Sequence, residues 1–167
     1  GTGLDQLRRE LDQVVAATPP AADRARPRLW VDRSFAAKGS GTVVTGTLTG
    51  GVVRVDDQLA VGARARAVRV RNIQSHGASV AEIGPGHRVA LNLNGIDHHQ
   101  VARGDAVVRA EQWRPTTRFD ATLAVLAGLD HEVSRRGAYM AYIGSGEWPV
   151  RVRILGPDAI APGGEGL

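Results

Sequence analysis

The chain has 167 residues, 43% of them hydrophobic but 4% aromatic, and its formal net charge is +4. This length allows one ordinary domain or two small ones, with a core built from Val, Leu, Ile and Ala. The sequence has no cysteine, which excludes disulfides and thiolate metal sites and fits a cytoplasmic protein. No apolar run approaches the ~20 residues of a membrane helix, and the positive charge permits a polyanionic partner without requiring one.

The first predicted element is a short amphipathic helix over residues 2–17. Thr2 and Asp5 have the spacing of a capping box at its start. Apolar residues recur along one face at helical spacing: Leu4, Leu7, Leu11, Val14 and Val15. Residues 18–28 follow, and their three prolines predict an extended linker.

From residue 29 the apolar period changes to two, which indicates strands. In "RAVRVRNIQ", for example, Val68 and Val70 would face one side and Arg69 and Arg71 the other. Similar runs, separated by Gly, Asp–Asp or Gly–Pro–Gly turns, fill residues 29–112. Strands at this spacing predict a closed barrel or a sandwich.

Residues 113–167 form a second β-rich block with candidate strands in "FDATLAVL", "GAYMAYIG" and "EWPVRVRILG". In the last of these, valine and isoleucine alternate with arginine, and the tail "PGGEGL" indicates a turn. Three strands cannot close a barrel, and the first helix has no neighbouring element in sequence on which to pack. We therefore expect this sequence to be a fragment of a longer protein.

The stretch "VDRSFAAKGSGTVVTG", residues 31–46, combines glycines with a lysine and raises the question of a phosphate-binding loop. A P-loop needs its lysine after the turn, at the start of a helix. Here Lys38 precedes Gly39 and Gly41, and β-branched residues typical of a strand follow. The pattern favours a tight turn between two strands over a nucleotide site.

Other candidate chemistry has simpler explanations. His98 and His99 would point opposite ways on an extended chain, so we predict a solvated pair and no metal site. The Asp56–Asp57 pair lies where a hairpin turn is expected. Arginine stripes on strands are typical of solvated faces, and no Ser/His/Asp arrangement carries a local hydrolase signature, so we predict no catalytic residue.

The stretch "RLWVDRSFAAKGSGTVVTGTLTGGVVRVDDQL" resembles the start of the second domain of translational GTPases, the β-barrel after the G domain. "VRNIQSHGASVAEIGPGHRVALNLNGI" and "VARGDAVV" follow in the order expected for that barrel, and "GTGLDQLRREL" resembles the end of such a G domain. Within this superfamily, "VDRSF", "GHRVALNL" and "GEWPVRVRILG" are more similar to selenocysteine-specific elongation factors (SelB type) than to elongation factor Tu.

This resemblance implies a mainly β fold, with two successive translation-factor-type β-barrels, the second incomplete, preceded by a short α-helix. Residues 1–17 would be the terminal helix of a G domain and residues 18–28 a linker. Residues 29–112 would then be the domain II barrel, and residues 113–167 part of the domain III barrel.

The resemblance also implies a function in translation. The parent protein is expected to be a GTPase that delivers selenocysteyl-tRNA to the ribosome at recoded UGA codons. GTP and Mg²⁺ would bind a missing G domain, and missing C-terminal domains would read an mRNA hairpin. This chain, whose sequence lacks the P-loop and N-K-x-D motifs, would bind aminoacyl-tRNA without catalysis. Two alternatives stay open: domain II/III of a Tu-like or initiation-factor GTPase, and a non-catalytic β-barrel that docks on the ribosome.

The pocket for the selenocysteinyl group in these factors maps to Asp32, Arg33 and Arg88. A selenol is more acidic than a thiol, so selenocysteine is largely an anion at neutral pH, and two guanidinium groups would favour it over neutral serine. Asp32 would orient the arginines or accept from the ammonium group of the amino acid. From the residues alone, the alternative is an ordinary surface salt bridge between Asp32 and Arg88 that recognises nothing.

Overall fold

The structure, a computed structural model, describes every residue except Gly1, Lys38 and Ser40. The first part of the chain contains one α-helix and nine strands, in this order: α1 (Leu4–Ala17), β1 (Arg28–Ala37), β2 (Gly41–Thr49), β3 (Val53–Arg54), β4 (Gln58–Val61), β5 (Arg66–Ser75), β6 (Ala78–Val80), β7 (Glu82–Ile83), β8 (Arg88–Asn94) and β9 (Ala106–Val108). The second part contains six short strands: β10 (Leu123–Ala124), β11 (Val133–Ser134), β12 (Tyr139–Ile143), β13 (Gly146–Val150), β14 (Ala159–Ile160) and β15 (Glu165–Gly166). Two 3₁₀ turns lie at His98–Gln100 and Ala110–Gln112.

Six strands of the first part close into an antiparallel barrel. Their hydrogen-bonded order is β4-β9-β1-β2-β8-β5, and β5 pairs back onto β4. β6 extends this sheet from β5, while β3 and β7 form a separate two-stranded ladder. Closure pairs the strand edges that an open sheet would leave exposed. The prediction of a mainly β fold, with a closed barrel preceded by a short α-helix, is confirmed.

The period-two pattern places the apolar side chains inside this barrel. Sixteen buried residues form one hydrophobic cluster. In β5, Val68 and Val70 are buried while Arg69 and Arg71 are exposed, as the alternation predicts. Branched aliphatic side chains thus fill a core that has very few aromatic residues to draw on.

Residues 113–167 form three two-stranded ladders, β10–β15, β11–β14 and β12–β13. Their hydrophobic cluster contains three buried residues, Val125, Ile154 and Ile160. The structure differs from the prediction of three strands, because β11 and β14 lie outside the candidates and the first candidate contributes the two residues Leu123–Ala124 to a strand. It also differs at the third candidate and at the tail. The third candidate strand ends at Val150, although burial still alternates to Ile154, and the tail predicted as a turn contributes Glu165–Gly166 to a ladder with β10. β13 ends at Val150 because its hairpin partner β12 begins at Tyr139, which pairs with Val150, whereas the tail is a strand because it pairs with the distant β10.

The helix α1 begins one residue later than the capping-box prediction requires. Its N-cap is Gly3, which makes no side-chain cap hydrogen bond, so the predicted Thr2–Asp5 capping box is wrong. None of its residues is buried, and its apolar stripe is exposed, with Leu7 at 54% and Val15 at 73%. Within the residues that the structure describes, no helix is long and apolar enough to span a membrane.

Candidate functional site

The candidate site is built on a β-bulge in β1. The pairing of β1 with β2 shifts register between Val31 and Arg33, which leaves Asp32 as the extra residue. Gly46 lies opposite Val31, and a Cβ atom there would lie 2.0 Å from the Trp30 carbonyl oxygen. Glycine is therefore required at position 46, where the bulged strand β1 approaches β2 closely.

The bulge presents the Asp32 carboxylate to two donors on the outer face of the barrel. Thr45 Oγ1 donates to Asp32 Oδ1 at 2.6 Å, and Arg88 Nη1 donates to Asp32 Oδ2. The Asp32 side chain is 21% exposed, whereas that of Arg88 is 57% exposed. The structure thus brings together Asp32 and Arg88 from strands β1 and β8, with Thr45 of β2 between them.

Arg33 lies beside this pair but does not bond to it. It is exposed, its backbone pairs with Thr45, and among the described residues it forms no salt bridge. Its positive charge nevertheless helps to lower the pKa of Asp32. One carboxylate is therefore surrounded by two guanidinium groups, so the cluster has a net positive charge.

The electrostatics of the cluster keep Asp32 ionised. Burial of the carboxyl would raise its pKa, but hydrogen bonds from Arg88 and Thr45 and the charges of Arg88 and Arg33 outweigh it, so the pKa is lowered. The same hydrogen bond raises the pKa of Arg88. Arg88 uses one of its donors on Asp32 and is more than half exposed, so it can donate to a small anion as well.

Sequence reasoning missed Thr45 and the bulge. Thr45 immediately precedes Gly46, and the pair has a signal in the sequence, a glycine inside an otherwise β-branched strand. The contact with Asp32 could not be derived from that signal because it depends on the register between β1 and β2.

The glycines that first suggested a phosphate loop lie in the hairpin between β1 and β2. Ala37 pairs with Gly41, and Gly39 and Gly41 have positive φ angles of 77° and 74°, which favour glycine. The other two residues of the turn, Lys38 and Ser40, lie outside the described residues. The prediction of a turn between two strands is confirmed.

The backbone at His98 and His99 is not extended, as the sequence analysis assumed, but forms a 3₁₀ turn. Asp97 caps a 3₁₀ turn through the His99 amide, at 2.8 Å, so the chain is not extended there. The rings of His98 and His99 consequently lie 3.8 Å apart, and their nitrogens and an Asp97 oxygen all lie within 4.8 Å of one another. The premise that these rings point apart is wrong, and the prediction that they bind no metal stays a prediction.

The aspartate pair has the predicted structural role in a turn. Asp57 accepts from the Arg54 amide at 2.9 Å, and Asp56, with a φ of 72°, forms a salt bridge with Arg69. The charge of Arg69, on the exposed face of its strand, is therefore already paired with the Asp56 carboxylate.

Comparison with known proteins relates this architecture to translation factors. The family described as elongation factor Tu domain 2 matches residues 41–108. A selenocysteine-specific elongation factor from Desulfomicrobium baculatum is 28% identical over 98% of this chain and 26% of its own length. One from Haemophilus influenzae is 36% identical over 71% of this chain and 19% of its own length. The chain thus spans about a quarter or less of these relatives.

A solved structure supports the same relationship. The crystal structure of a bacterial selenocysteine-specific elongation factor superposes with a TM-score of 0.78 at 26% identity. The match covers 95% of this chain and 26% of the solved chain. The match therefore extends over almost the whole chain.

Proposed function

We propose that this chain is the part of a selenocysteine-specific elongation factor that binds the aminoacyl end of selenocysteyl-tRNA. The match to elongation factor Tu domain 2 and the similarity to selenocysteine-specific elongation factors over almost the whole chain support this proposal. The observation that carries the proposal is the hydrogen-bonded Asp32–Arg88 pair on the outer face of the barrel. Arg33, one residue along β1, adds a second positive charge.

The proposed recognition follows from charge. A selenolate is an anion at neutral pH, whereas the seryl hydroxyl is neutral, and otherwise the two side chains are alike in shape. Arg88 donates to the selenolate while Asp32 holds the guanidinium in place, and Arg33 strengthens the positive potential. A seryl ester leaves those donors poorly paired, which weakens its binding.

The remaining functions belong to the proposed parent protein. GTP and Mg²⁺ would bind its G domain, which makes it a GTPase, and its partners would be the ribosome and an mRNA hairpin. The sequence of this chain contains no P-loop and no N-K-x-D motif, so its residues do not fit a GTP site. The role of this chain is therefore binding and selection, without hydrolysis.

The test compares the affinity of the full-length protein for selenocysteyl-tRNA and seryl-tRNA. Arg88→Gln removes the charge that pairs with the selenolate, and Asp32→Asn removes the group that orients it. Each variant should lower the preference for selenocysteine by about 10- to 100-fold, the range for charge-assisted hydrogen bonds. Arg71→Gln is the matched control, since Arg71 is exposed on the same barrel, on β5.

Three outcomes decide between the candidates. An unchanged preference in both site variants means that the Asp32–Arg88 pair is a surface salt bridge without a role in selection. Equal affinity of the unsubstituted protein for the two tRNAs favours a Tu-like or initiation-factor barrel. No binding of either tRNA favours a module that only docks on the ribosome.

A further inference from the structure

A second candidate site lies where the linker meets the start of β1. A cavity of about 300 Å³ opens there between the linker, the end of β2 and the segment after the barrel. Its lining includes three arginines, Arg24, Arg26 and Arg28, together with Thr49 and Trp113. We call these five residues the linker-arginine pocket.

The backbone of this pocket is held in place by hydrogen bonds to two other segments. The amides of Arg24 and Arg26 both donate to the Gly50 carbonyl oxygen, at 3.0 and 2.9 Å. Gln112 Nε2 donates to the Ala25 carbonyl oxygen at 3.0 Å. A Cβ atom at Gly50 would lie 2.7 Å from the Arg26 carbonyl oxygen, so glycine is needed for the linker to approach this closely.

Two of the three arginine side chains, Arg26 and Arg28, lie over tryptophan rings. The guanidinium carbons of Arg26 and Arg28 each lie 4.4 Å from the centroid of the Trp113 ring, and that of Arg28 lies 4.6 Å from the Trp30 ring. Stacking uses the flat face of a guanidinium and leaves N–H groups at its edge as donors. Arg26 directs one of them to the Gln112 carbonyl oxygen.

The positive charge of this pocket is not paired in salt bridges among the described residues. None of its three arginines forms a salt bridge there. Asp23 is the nearest carboxylate in sequence, and its Oδ1 accepts from the Ala25 amide. Burial, and then the charge of Arg26, lowers the pKa of Arg28, and Arg28 Nε is buried with no hydrogen-bond partner in the described part of the chain. Three cations around one cavity favour an anionic ligand.

The position of the pocket indicates which anion. Arg28, Trp30 and Asp32 are alternate residues of β1, so the pocket lies on the same strand as the Asp32–Arg88 pair, about 13 Å away along it. A ligand whose end reaches that pair and whose backbone carries phosphates can contact both places.

We propose that the linker-arginine pocket binds a phosphate group of the RNA backbone. The identification of the RNA as tRNA rests on the function proposed above, whereas the binding of a phosphate does not. The contact is independent of base sequence, because guanidinium groups pair with phosphate oxygens and no base edge is read.

The experiment measures the affinity of the full-length protein for deacylated tRNA as a function of salt. Deacylated tRNA carries no selenocysteine, so the result does not depend on the Asp32–Arg88 pair. Each phosphate contact contributes about 0.7 to 0.9 to the slope of log affinity against log salt. Arg24→Gln and Arg26→Gln should each weaken binding at low salt and reduce that slope by this amount. Arg26→Lys keeps a charge and should restore most of the slope, and Arg71→Gln should leave it unchanged.

Two results would overturn the proposal. One is an unchanged slope in both glutamine variants while circular dichroism shows that they are folded, which means that neither arginine contacts RNA and that Arg26 only packs on Trp113. The other is thermal stabilisation by millimolar inorganic phosphate that Arg24→Gln abolishes, with RNA binding unaffected, which identifies a free-anion site. A selenocysteine preference that survives in Arg24→Gln separates this proposal from the preceding one.

Discussion

The two β-rich regions of this chain have similar strand sequences but very different cores. The barrel buries sixteen hydrophobic residues in one cluster, whereas residues 113–167 bury three. In the barrel every strand of the closed ring has a partner on both sides, but each ladder of the second region has two strands. Closure, and not the number of apolar residues, determines how much surface a strand-forming sequence removes from water.

The two regions meet at the strand that carries the candidate site. Ser145 Oγ donates to the Val31 carbonyl oxygen, and Arg103 Nε donates to the Ser145 carbonyl oxygen at 3.0 Å. A Cβ atom at Gly144 would lie 2.1 Å from the Trp30 ring. The better-packed region therefore supports the smaller one through the hairpin β12–β13.

The largest expected effect contrasts one core residue from each region. Leu91→Ala removes a side chain that is fully buried in the barrel and should lower the free energy of unfolding by about 3 kcal/mol. Ile154→Ala removes one of three buried residues from a much smaller cluster, so we expect about 2 kcal/mol, the lower end of the range for such changes. Urea unfolding monitored by hydrogen exchange in each region measures both costs. Equal costs would mean that the second region is as tightly packed as the barrel.

The next effect tests the close approach of β2 to β1 beside the bulge. In Gly46→Ala the new methyl group would lie 2.0 Å from the backbone oxygen of Trp30, which cannot move without breaking the β1–β2 pairing. We expect a loss of roughly 2–3 kcal/mol in unfolding free energy, at the upper end of the cost of overpacking. Gly84→Ala is the control, because no atom of the described residues lies within 4 Å of its Cβ position, and its effect should stay within about 0.5 kcal/mol. Thermal melts of the two variants that coincide would contradict the geometry at Gly46.

A smaller effect is expected at the junction between the regions. Gly144 has a φ of 62° and lies against Trp30, so Gly144→Ala introduces strain of about 1–2 kcal/mol. The strain is relieved when the two regions separate at this junction. Limited proteolysis should then cut residues 113–167 faster while the barrel stays resistant. Gly128→Ala is the control in the same region, because its Cβ position has no neighbour within 4 Å among the residues that the structure describes, and it should be cleaved at the original rate. Faster cleavage within the barrel would show that the two regions unfold together.

The same contrast between regions explains what could be predicted from the sequence. Alternation such as Val68, Arg69 and Val70 revealed the barrel strands because one face of each is buried. The strands β14 and β15 contain two residues each, too few to show a period, and their partners β11 and β10 lie far back along the chain. Sequence patterning therefore succeeds where burial is one-sided and extensive.

The candidate site could be predicted in part for a similar reason. Asp32, Arg33 and Arg88 were found through a family resemblance, and the structure places Asp32 in contact with Arg88. Thr45 was missed because its contact depends on a register shift. The stacking of Arg26 and Arg28 on Trp113 joins residues more than eighty positions apart, and no local pattern reports such a contact.

The smallest expected effect is the pH dependence of the paired carboxylate on the barrel. Because the folded-state pKa of Asp32 is lowered, the stability that its ionisation contributes is present above the ordinary aspartate pKa of about 3.9. It is lost as the pH falls from there through the lower folded-state pKa. The melting temperature of Asp32→Asn should therefore lie below that of the unsubstituted chain near neutral pH, and the two should converge in acid.

Asp120→Asn, which removes an exposed carboxylate from the second region, corrects for the change in net charge. A difference between Asp32→Asn and the unsubstituted chain that stays constant from pH 7 to acid would mean that the hydrogen bonds from Thr45 and Arg88 do not favour the ionised carboxylate.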